Sequence, residues 1–445
     1  ALAARPEERY HSADELAAAL HDYLEDISDA REEARRQAAR AGSLLDFLLG
    51  VLASGDPAQA RGRDVSVREV LDRAADRVHR SPPPNPLDEA HLRAMLGRLY
   101  KELGRFDDAA GQLEPAVERF EQVLGARHPD TLTAATDLAL LYRRLGRADD
   151  AENLLRNTLE SQTAALGELH ADTLRSLDLL AALLHRTRGR PAEAEALYRR
   201  AWQGRRVALG ERHPDTLSTQ SALATVLAEV GRKPEAVRLM EEAAAGLVAS
   251  HGEDHPGPLV ALSDLARLYS QVERLTEAEA LYRRTLAAQE RVVGPAHPDA
   301  LTTRNNLGMV LLRQRRDAEA LDELRRAADG HAAALGEDHP RTLSFRANCG
   351  LALLESGRAA EAEALLRDVL ARSPDVPGAD PTHVARYRSN RARSLAVLGR
   401  RVEAEEEFEA ARAALAARLA ADHAWLREID EELAALRRGR AEARG

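Results

Sequence analysis

Apolar residues along most of this chain recur at helical spacing and in paired stripes. Leu138, Leu141 and Leu145 make one stripe; Gly146 follows; Ala151, Leu154, Leu155 and Leu159 make a second, which ends at Gly167. Spacings of three and four residues put each set on one face of a helix. A glycine just past the last apolar position supplies the left-handed cap that stops it. The pattern predicts a hairpin, helix A then helix B, with Ala151 small because the two helices cross closely there. Ahead of the first stripe stands His128-Pro129-Asp130-Thr131-Leu132. Proline costs nothing in a first helical turn, and Asp130 faces the positive end of the helix dipole.

That unit returns. His128, His170, His213, His255, His297 and His339 are separated by 42, 43, 42, 42 and 42 residues. Gly104, Gly146, Gly189, Gly231, Gly357 and Gly399 keep step, and Ala109, Ala151, Ala194, Ala236, Ala362 and Ala404 each follow five residues later. Self-similarity at such a period marks a stacked-repeat protein. Each repeat buries its apolar face against its neighbours, so a chain of 445 residues needs no central core. Counting 42 back from His128 starts the array at Pro86. Glu273 and Arg315 stand where glycine ends helix A elsewhere, which predicts altered A–B turns in the fifth and sixth repeats. Past a loop at Ser373 to Pro381 the register reaches His423. There Trp425, Leu426, Ile429, Leu433 and Leu436 predict a ninth helix A without a helix B, a terminal cap with one polar face. The arginine-rich stretch after Arg437 is expected to be disordered. Cys349 takes the place of a core leucine and reads as a small buried apolar residue.

Residues 31–85 read as a helical connector. Ser43 to Ser54 is apolar, and Ser66-Val67-Arg68-Glu69 is a capping box opening a helix with Val70, Leu71, Ala74, Ala75 and Val78 inward. Ser81 to Pro86 then stops all helix. Charged residues make up 31% and aromatics 3%, a composition that favours helix throughout. A net charge of -10 argues against nucleic-acid binding through a generally basic surface. No run of 18 apolar residues is present, so no membrane-spanning helix is expected. The single cysteine excludes an internal disulfide framework and fits a reducing compartment, so a cytoplasmic location is expected. Successive repeat histidines should lie about 10 Å or more apart, whereas zinc ligands sit about 2 Å from one ion. They form a ladder of helix-start residues, and neither metal nor cofactor is expected.

Leu96-Gly97-x-x-Tyr100 with Gly104 and Ala109-x-x-x-Leu113, Leu138-Ala139-x-x-Tyr142 with Ala151, and Ala404-x-x-x-Phe408 together resemble the tetratricopeptide repeat. The unit here is longer than the usual 34 residues or so; with His-Pro-Asp-Thr at its head and Leu-Gly near its end it is similar to the kinesin-light-chain type. The resemblance implies an all-α, right-handed superhelix of about eight helix pairs over residues 86–422, with a capping helix and tail at 423–445. It also implies a protein or extended peptide as partner, lying along the helices A.

In that family asparagines on the open positions of helix A hold such a guest, since an amide both donates and accepts. The residues at or beside those positions here are Asn305, Asn306, Asn348, Asn390, Asp137 and Asp264. About a turn later come Arg143, Arg267, Arg313 and Arg393, which would select acidic side chains on the guest. The apolar segment Leu44 to Leu52 offers an internal alternative, a groove filled by the chain's own connector.

Arg5 to Ala17 resembles the last helices of bacterial Ser/Thr protein kinase domains, with Arg9 where that family's arginine ties the final lobe to the activation segment. Residues 1–30 are accordingly read as the end of such a domain, and the order of tail, connector and repeats resembles bacterial kinases with a C-terminal repeat array. The glycine-rich phosphate loop and the His-Arg-Asp motif are absent, and Asp46-Phe47-Leu48 lacks the glycine of a metal-binding Asp-Phe-Gly. The chain as given is not expected to be an enzyme. It starts with Ala1 rather than Met, which suggests a parent protein extending upstream with kinase activity of its own.

Overall fold

The computed structural model describes residues 66–187, 189–373, 381–419 and 423–442. The kinase-like segment and the connector before Ser66 lie outside the described residues. Within them the chain is helical, with no strand. Helix α1 (Val67–Arg80) precedes eight hairpins. These are α2 (Pro86–Glu102) with α3 (Phe106–Leu124), α4 (Pro129–Arg144) with α5 (Ala148–Leu166), α6 (Ala171–Arg186) with α7 (Pro191–Ala208), and α8 (Pro214–Glu229) with α9 (Lys233–His251). Then come α10 (Pro256–Gln271) with α11 (Leu275–Val292), α12 (Pro298–Arg313) with α13 (Asp317–Leu335), α14 (Pro340–Glu355) with α15 (Ala359–Arg372), and α16 (Pro381–Val397) with α17 (Arg401–Ala416). Helix α18 (Ala424–Glu442) closes the series. The chain divides inside α7, after Leu197, into two compact units.

The helices A other than α16 start the same way, and the motif explains how. The Nδ1 of His128, His170, His213, His255, His297, His339 and His423 accepts the backbone N–H two residues on, at 3.2 Å. Histidine thus fills the place usually taken by Ser, Asp or Asn. At α2, where no histidine is available, Asn85 does so through Oδ1, at 3.1 Å. The hydroxyls of Thr131, Thr173, Thr216 and Thr342 donate to the carbonyls of Gly125, Gly167, Gly210 and Gly336 at 2.8–2.9 Å. This ties the end of those four helices B to the start of the next helix A. Gly125 sits at φ 89°, ψ 160°, a region open essentially to glycine alone.

The first unit is built on Leu71, Ala74 and Val78 of α1 packed with Leu92, Leu96, Leu113, Phe120, Leu138 and Leu141. Its capping box forms as expected, Ser66 N–H to Glu69 at 3.2 Å and Glu69 N–H to Ser66 Oγ at 3.3 Å. Asp72 of α1 bonds Tyr100 and Arg105 as Glu114 of α3 bonds Tyr142 and Arg147. The last helix of the connector therefore stands in the register of a helix B.

In the second unit one core joins Tyr282, Leu307, Leu311, Leu324, Phe345 and Leu353. Another places Leu426, Ile429 and Leu433 of α18 against Phe408 and Leu415. The cap expected at His423 is present, and it runs on to Glu442 rather than ending near Arg437. Arg437 anchors that last stretch on Glu405 (2.7 Å) and Glu409 of α17. Cys349 is buried, and burial pushes its thiol up to about 12.

The turns of the fifth and sixth repeats are not altered. Glu273 (φ 63°) and Arg315 (φ 61°) adopt the left-handed conformation that glycine holds elsewhere. The closing bonds are unchanged: Arg274 N–H to Tyr269 O at 2.9 Å and Arg316 N–H to Leu311 O at 3.0 Å, against 2.9 Å for Arg147 to Tyr142. Hairpin packing overrides the local preference, at a cost of about 1 kcal/mol per residue. Glu273→Gly and Arg315→Gly should each recover a comparable amount in urea denaturation. A loss of stability in both would mean that the side-chain pairs Glu273–Arg313 and Arg315–Glu355 outweigh the backbone strain.

His331 of α13 is fully buried, its ring 4.6 Å from that of Phe345. Burial, helped by the nearby Arg341 and His339, holds its basicity below the ordinary histidine value of 6.5. The unfolded chain then takes up this proton before the folded one does, so stability falls as pH drops below 6.5. His331→Leu, which copies Leu247 and Leu415 at the same repeat position, should flatten the fall in thermal midpoint between about pH 7 and 5. Equal slopes in parent and variant would contradict this.

Candidate peptide-binding face

Helix A leaves open a stripe of four positions spaced four, three and four residues apart, one face of a helix. In α12 these are Thr302, Asn306, Met309 and Arg313; in α14, Ser344, Asn348, Leu351 and Glu355; in α16, Arg386, Asn390, Arg393 and Val397. All are half-buried or exposed. Asn305 lies behind the stripe, buried, and links two repeats. Asn348 Nδ2 donates to Asn305 Oδ1 at 3.0 Å, and Asn305 Nδ2 donates to Asn306 Oδ1 at 3.4 Å. Among the described residues the Asn348 Oδ1 and the whole side-chain amide of Asn390 carry no hydrogen bond.

The charged candidates are mostly committed to one another. Asp137 of α4 is buried between Arg98 (3.2 Å) and Lys101 (3.9 Å) of the preceding helix A. Asp264 pairs with Arg267 at 3.2 Å. Arg313 donates to the Ser270 carbonyl at 2.6 Å and hydroxyl at 2.7 Å, and pairs with Glu273 at 2.6 Å. Arg393 pairs with Glu428 and, at 3.2 Å, with Glu432 of α18. Arg143 is half-buried in the last turn of α4. Of the basic residues read from the sequence, Arg267, Arg313 and Arg393 thus already hold carboxylates of the chain itself.

A residue on the same stripe escaped the sequence reading. Arg386 lies four residues before Asn390, where the preceding helices A carry Thr133, Arg175, Ser218, Val260, Thr302 and Ser344. Its guanidinium stacks 4.8 Å from the ring centre of Trp425 on α18. It makes no hydrogen bond or ion pair among the described residues. Burial draws its basicity below the usual arginine range, an effect opposed by Tyr387 and Glu428 and reinforced by Arg393.

The opposite edge of each hairpin carries a regular device that also went unread. Arg105, Arg147, Arg190, Arg274, Arg316, Arg358 and Arg400 stand just before a helix B and pair with an acid three residues on. Where helix A ends in tyrosine, the arginine also reaches back to an acid that bonds that tyrosine: Asp72 with Tyr100, Glu114 with Tyr142, Glu241 with Tyr269. In three of the repeats where leucine stands instead, the arginine reaches an acid one turn nearer the N-terminus of the preceding helix B: Glu152 for Arg190, Glu279 for Arg316 and Glu363 for Arg400. The signal was in the sequence as an arginine with an acid three residues on, at the period of the glycines. Among the described residues no three of His, Cys, Asp or Glu gather as metal ligands would, and no helix is long and apolar enough to cross a membrane.

Tetratricopeptide repeat family models match residues 88–164, 138–206, 172–247, 235–291, 259–331 and 299–375, and again 385–410. No curated protein matches the chain. Among solved structures, TPR-like repeats assigned to a kinesin light chain of Podosopora anserina are 28% identical, covering 46% of this chain and 96% of theirs, with a TM-score of 0.42. The apo form of the quorum sensor NprR from B. thuringiensis is 16% identical over 84% of this chain and 98% of its own, at 0.56. A signal-transduction ATPase with a tetratricopeptide repeat sensor, from Pyrococcus horikoshii, is 15% identical over 83% of this chain and 56% of its own, at 0.53. The last two share the fold. With family models matched over well more than half of its length, hairpin after hairpin, the chain belongs to the tetratricopeptide repeat family.

Proposed function

We propose that the chain is a recognition scaffold that holds a protein segment or extended peptide on the open face of its helices A and performs no chemistry itself. The observation that carries this reading is the run of amides Asn306, Asn348 and Asn390, one per repeat on a single stripe, with hydrogen-bonding capacity left over on Asn348 and Asn390. Neighbouring helices lie about 10 Å apart, and an extended guest advances about 3.3 Å per residue. Each amide would then meet roughly every third residue of the guest backbone. Asn305 acts behind them, holding Asn348 and Asn306 in line.

Panning a displayed library of random dodecapeptides against the full chain tests the reading. The parent should enrich a defined peptide set, and the triple change Asn306→Ala, Asn348→Ala, Asn390→Ala should lose it. Equal recovery by the triple variant would retire the amide ladder. The setting favoured by the resemblance of Arg5 to Ala17 is a Ser/Thr protein kinase whose array recruits substrates or regulates the enzyme. Reading the gene upstream of Ala1 decides that point, since a parent kinase must encode the phosphate loop and the His-Arg-Asp motif there.

A further inference from the structure

We propose that the cavity between α7 and α9, over α8, binds a small planar anion, with Trp202 as the wall on which its ring stacks and Arg212 as the donor to its acidic group. The cavity measures 830 Å³ and lies wholly in the second unit. Small-molecule sites span about 300–1,000 Å³. It is separate from the amide stripe: Gln220 at its base lies two residues from Ser218 of that stripe, about 200° round the helix. Two departures from the repeat meet there. Where Trp202 stands, the other helices B carry Val, Leu, Ala or Arg, as at Leu159, Leu286 and Arg412. Where Gln220 stands, other helices A carry Ala135, Leu177 or Leu262, or an arginine such as Arg304, which bridges Glu290 of α11 and Glu323 of α13. Trp202 Nε1 donates to Gln220 Oε1 at 3.2 Å, and Gln220 Nε2 donates to the Leu239 carbonyl at 3.0 Å and to Glu242 at 3.1 Å. Gln220 is buried with its whole amide engaged, so it fixes the half-buried indole in one orientation. The other hairpins stack without this pair, so the solenoid does not require it.

Three arginines line the cavity with the indole. Arg206 lies over the ring, 4.9 Å from its centre, and pairs with Glu211; Arg238 pairs with Glu242 at 2.9 Å. Arg212, in the junction before α8, makes no hydrogen bond or ion pair among the described residues. Two glutamates thus face three arginines, a surplus of positive charge on a protein whose net charge is -10. Such a protein repels small anions over most of its surface, and this pocket attracts them. The wall from α9 is made of small residues, Gly246, Ala249 and Ser250, which leave the space unfilled. A side chain at Gly246 would press on Leu217, its Cβ 2.7 Å from Cδ1. An indole plane beside unspent guanidinium donors suits a ring that stacks while its acidic group takes the fork. A neutral ring or a lone anion would use only half of the site. The acidic group can be a phosphate or a carboxylate, since both match the guanidinium plane.

Calorimetric titration of the full chain with adenosine monophosphate, adenosine, inorganic phosphate, naphthoate and naphthamide tests this. At least one of the two ring-bearing anions should bind saturably, about tenfold to a hundredfold more tightly than its neutral counterpart, the span of a charge-assisted contact. Which of them does so names the acidic group. Inorganic phosphate, lacking a ring to stack, should bind about tenfold more weakly than the nucleotide. Trp202→Leu with Gln220→Leu, which copies Leu159 and Leu177 one repeat earlier, should keep the fold and lose the advantage of the ring. Arg212→Gln, at an exposed position, should bind charged and neutral ligands alike. Absence of saturable heat with both anions overturns the proposal, and so does equal affinity for each anion and its neutral counterpart. An affinity that neither variant changes overturns it as well, because the ligand then sits elsewhere. The amide ladder is a separate matter: its triple variant should bind these ligands as the parent does.

Discussion

Replacing Ala320 by leucine should lower the unfolding free energy by about 3 kcal/mol, the upper part of the usual range for overpacking a filled site. Ala320 is fully buried on α13 where it crosses α12. The approach is so close that a Cβ built on Gly308 would lie 3.2 Å from the Ala320 carbonyl and 2.7 Å from Leu324. Ala320 has no exposed surface into which a longer side chain could turn, so a leucine there should push the two helices apart. Because each hairpin is stabilised by its neighbours, the opening weakens the contacts of α14 as well. Ala318→Leu, two residues away on the exposed side, serves as control and should change little. Equal urea midpoints for the two variants would show that helices A and B do not meet where the structure puts them.

Raising the pH should unfold the protein through its tyrosines. Burial first, and hydrogen bonds to Glu114 and Glu241 second, push Tyr142 and Tyr269 from 10.0 up to about 12. Tyr100, bonded to Asp72, is raised in the same way. A phenol whose folded value lies above its unfolded value contributes fully below the unfolded value and loses that contribution as pH climbs through the folded one. The thermal midpoint should therefore hold up to pH 10 and drop between pH 10 and about 12. Tyr142→Phe with Tyr269→Phe should begin lower at pH 8, for want of two hydrogen bonds, and then decline less steeply. A parent with a flat profile across that window would refute the assignment.

The hairpins were legible because glycine, alanine and the His-Pro-Asp-Thr head each serve one local geometric purpose, and local purposes repeat with the period. Glu273 and Arg315 misled for the converse reason. Sequence shows the cost of a left-handed non-glycine residue, but the packing that compels it is tertiary. The binding face was legible only in part. Helical spacing places Asn306, Asn348 and Asn390 on one stripe, yet it cannot tell which charges a neighbouring repeat has already claimed. Arg393 looked available and is doubly paired, whereas Arg386 forms no ion pair among the described residues and feels Glu428 only at longer range, Glu428 being bonded to Arg393. The turn arginines were missed because one arginine beside one acid is unremarkable in a chain with 31% charged residues; only their regularity gives them away.

The bond from threonine to the glycine six residues before it closes four of the junctions, each within a single short segment, together with the histidine cap beside it. Such a seam can be cut and rejoined without tailoring either side. Excising residues 129–170 would fuse His128 directly to Ala171-Asp172-Thr173 and keep a threonine six residues after Gly125. Span is thereby separable from architecture: recombination at the histidines could lengthen or shorten the molecule by whole modules, matching it to longer or shorter guests.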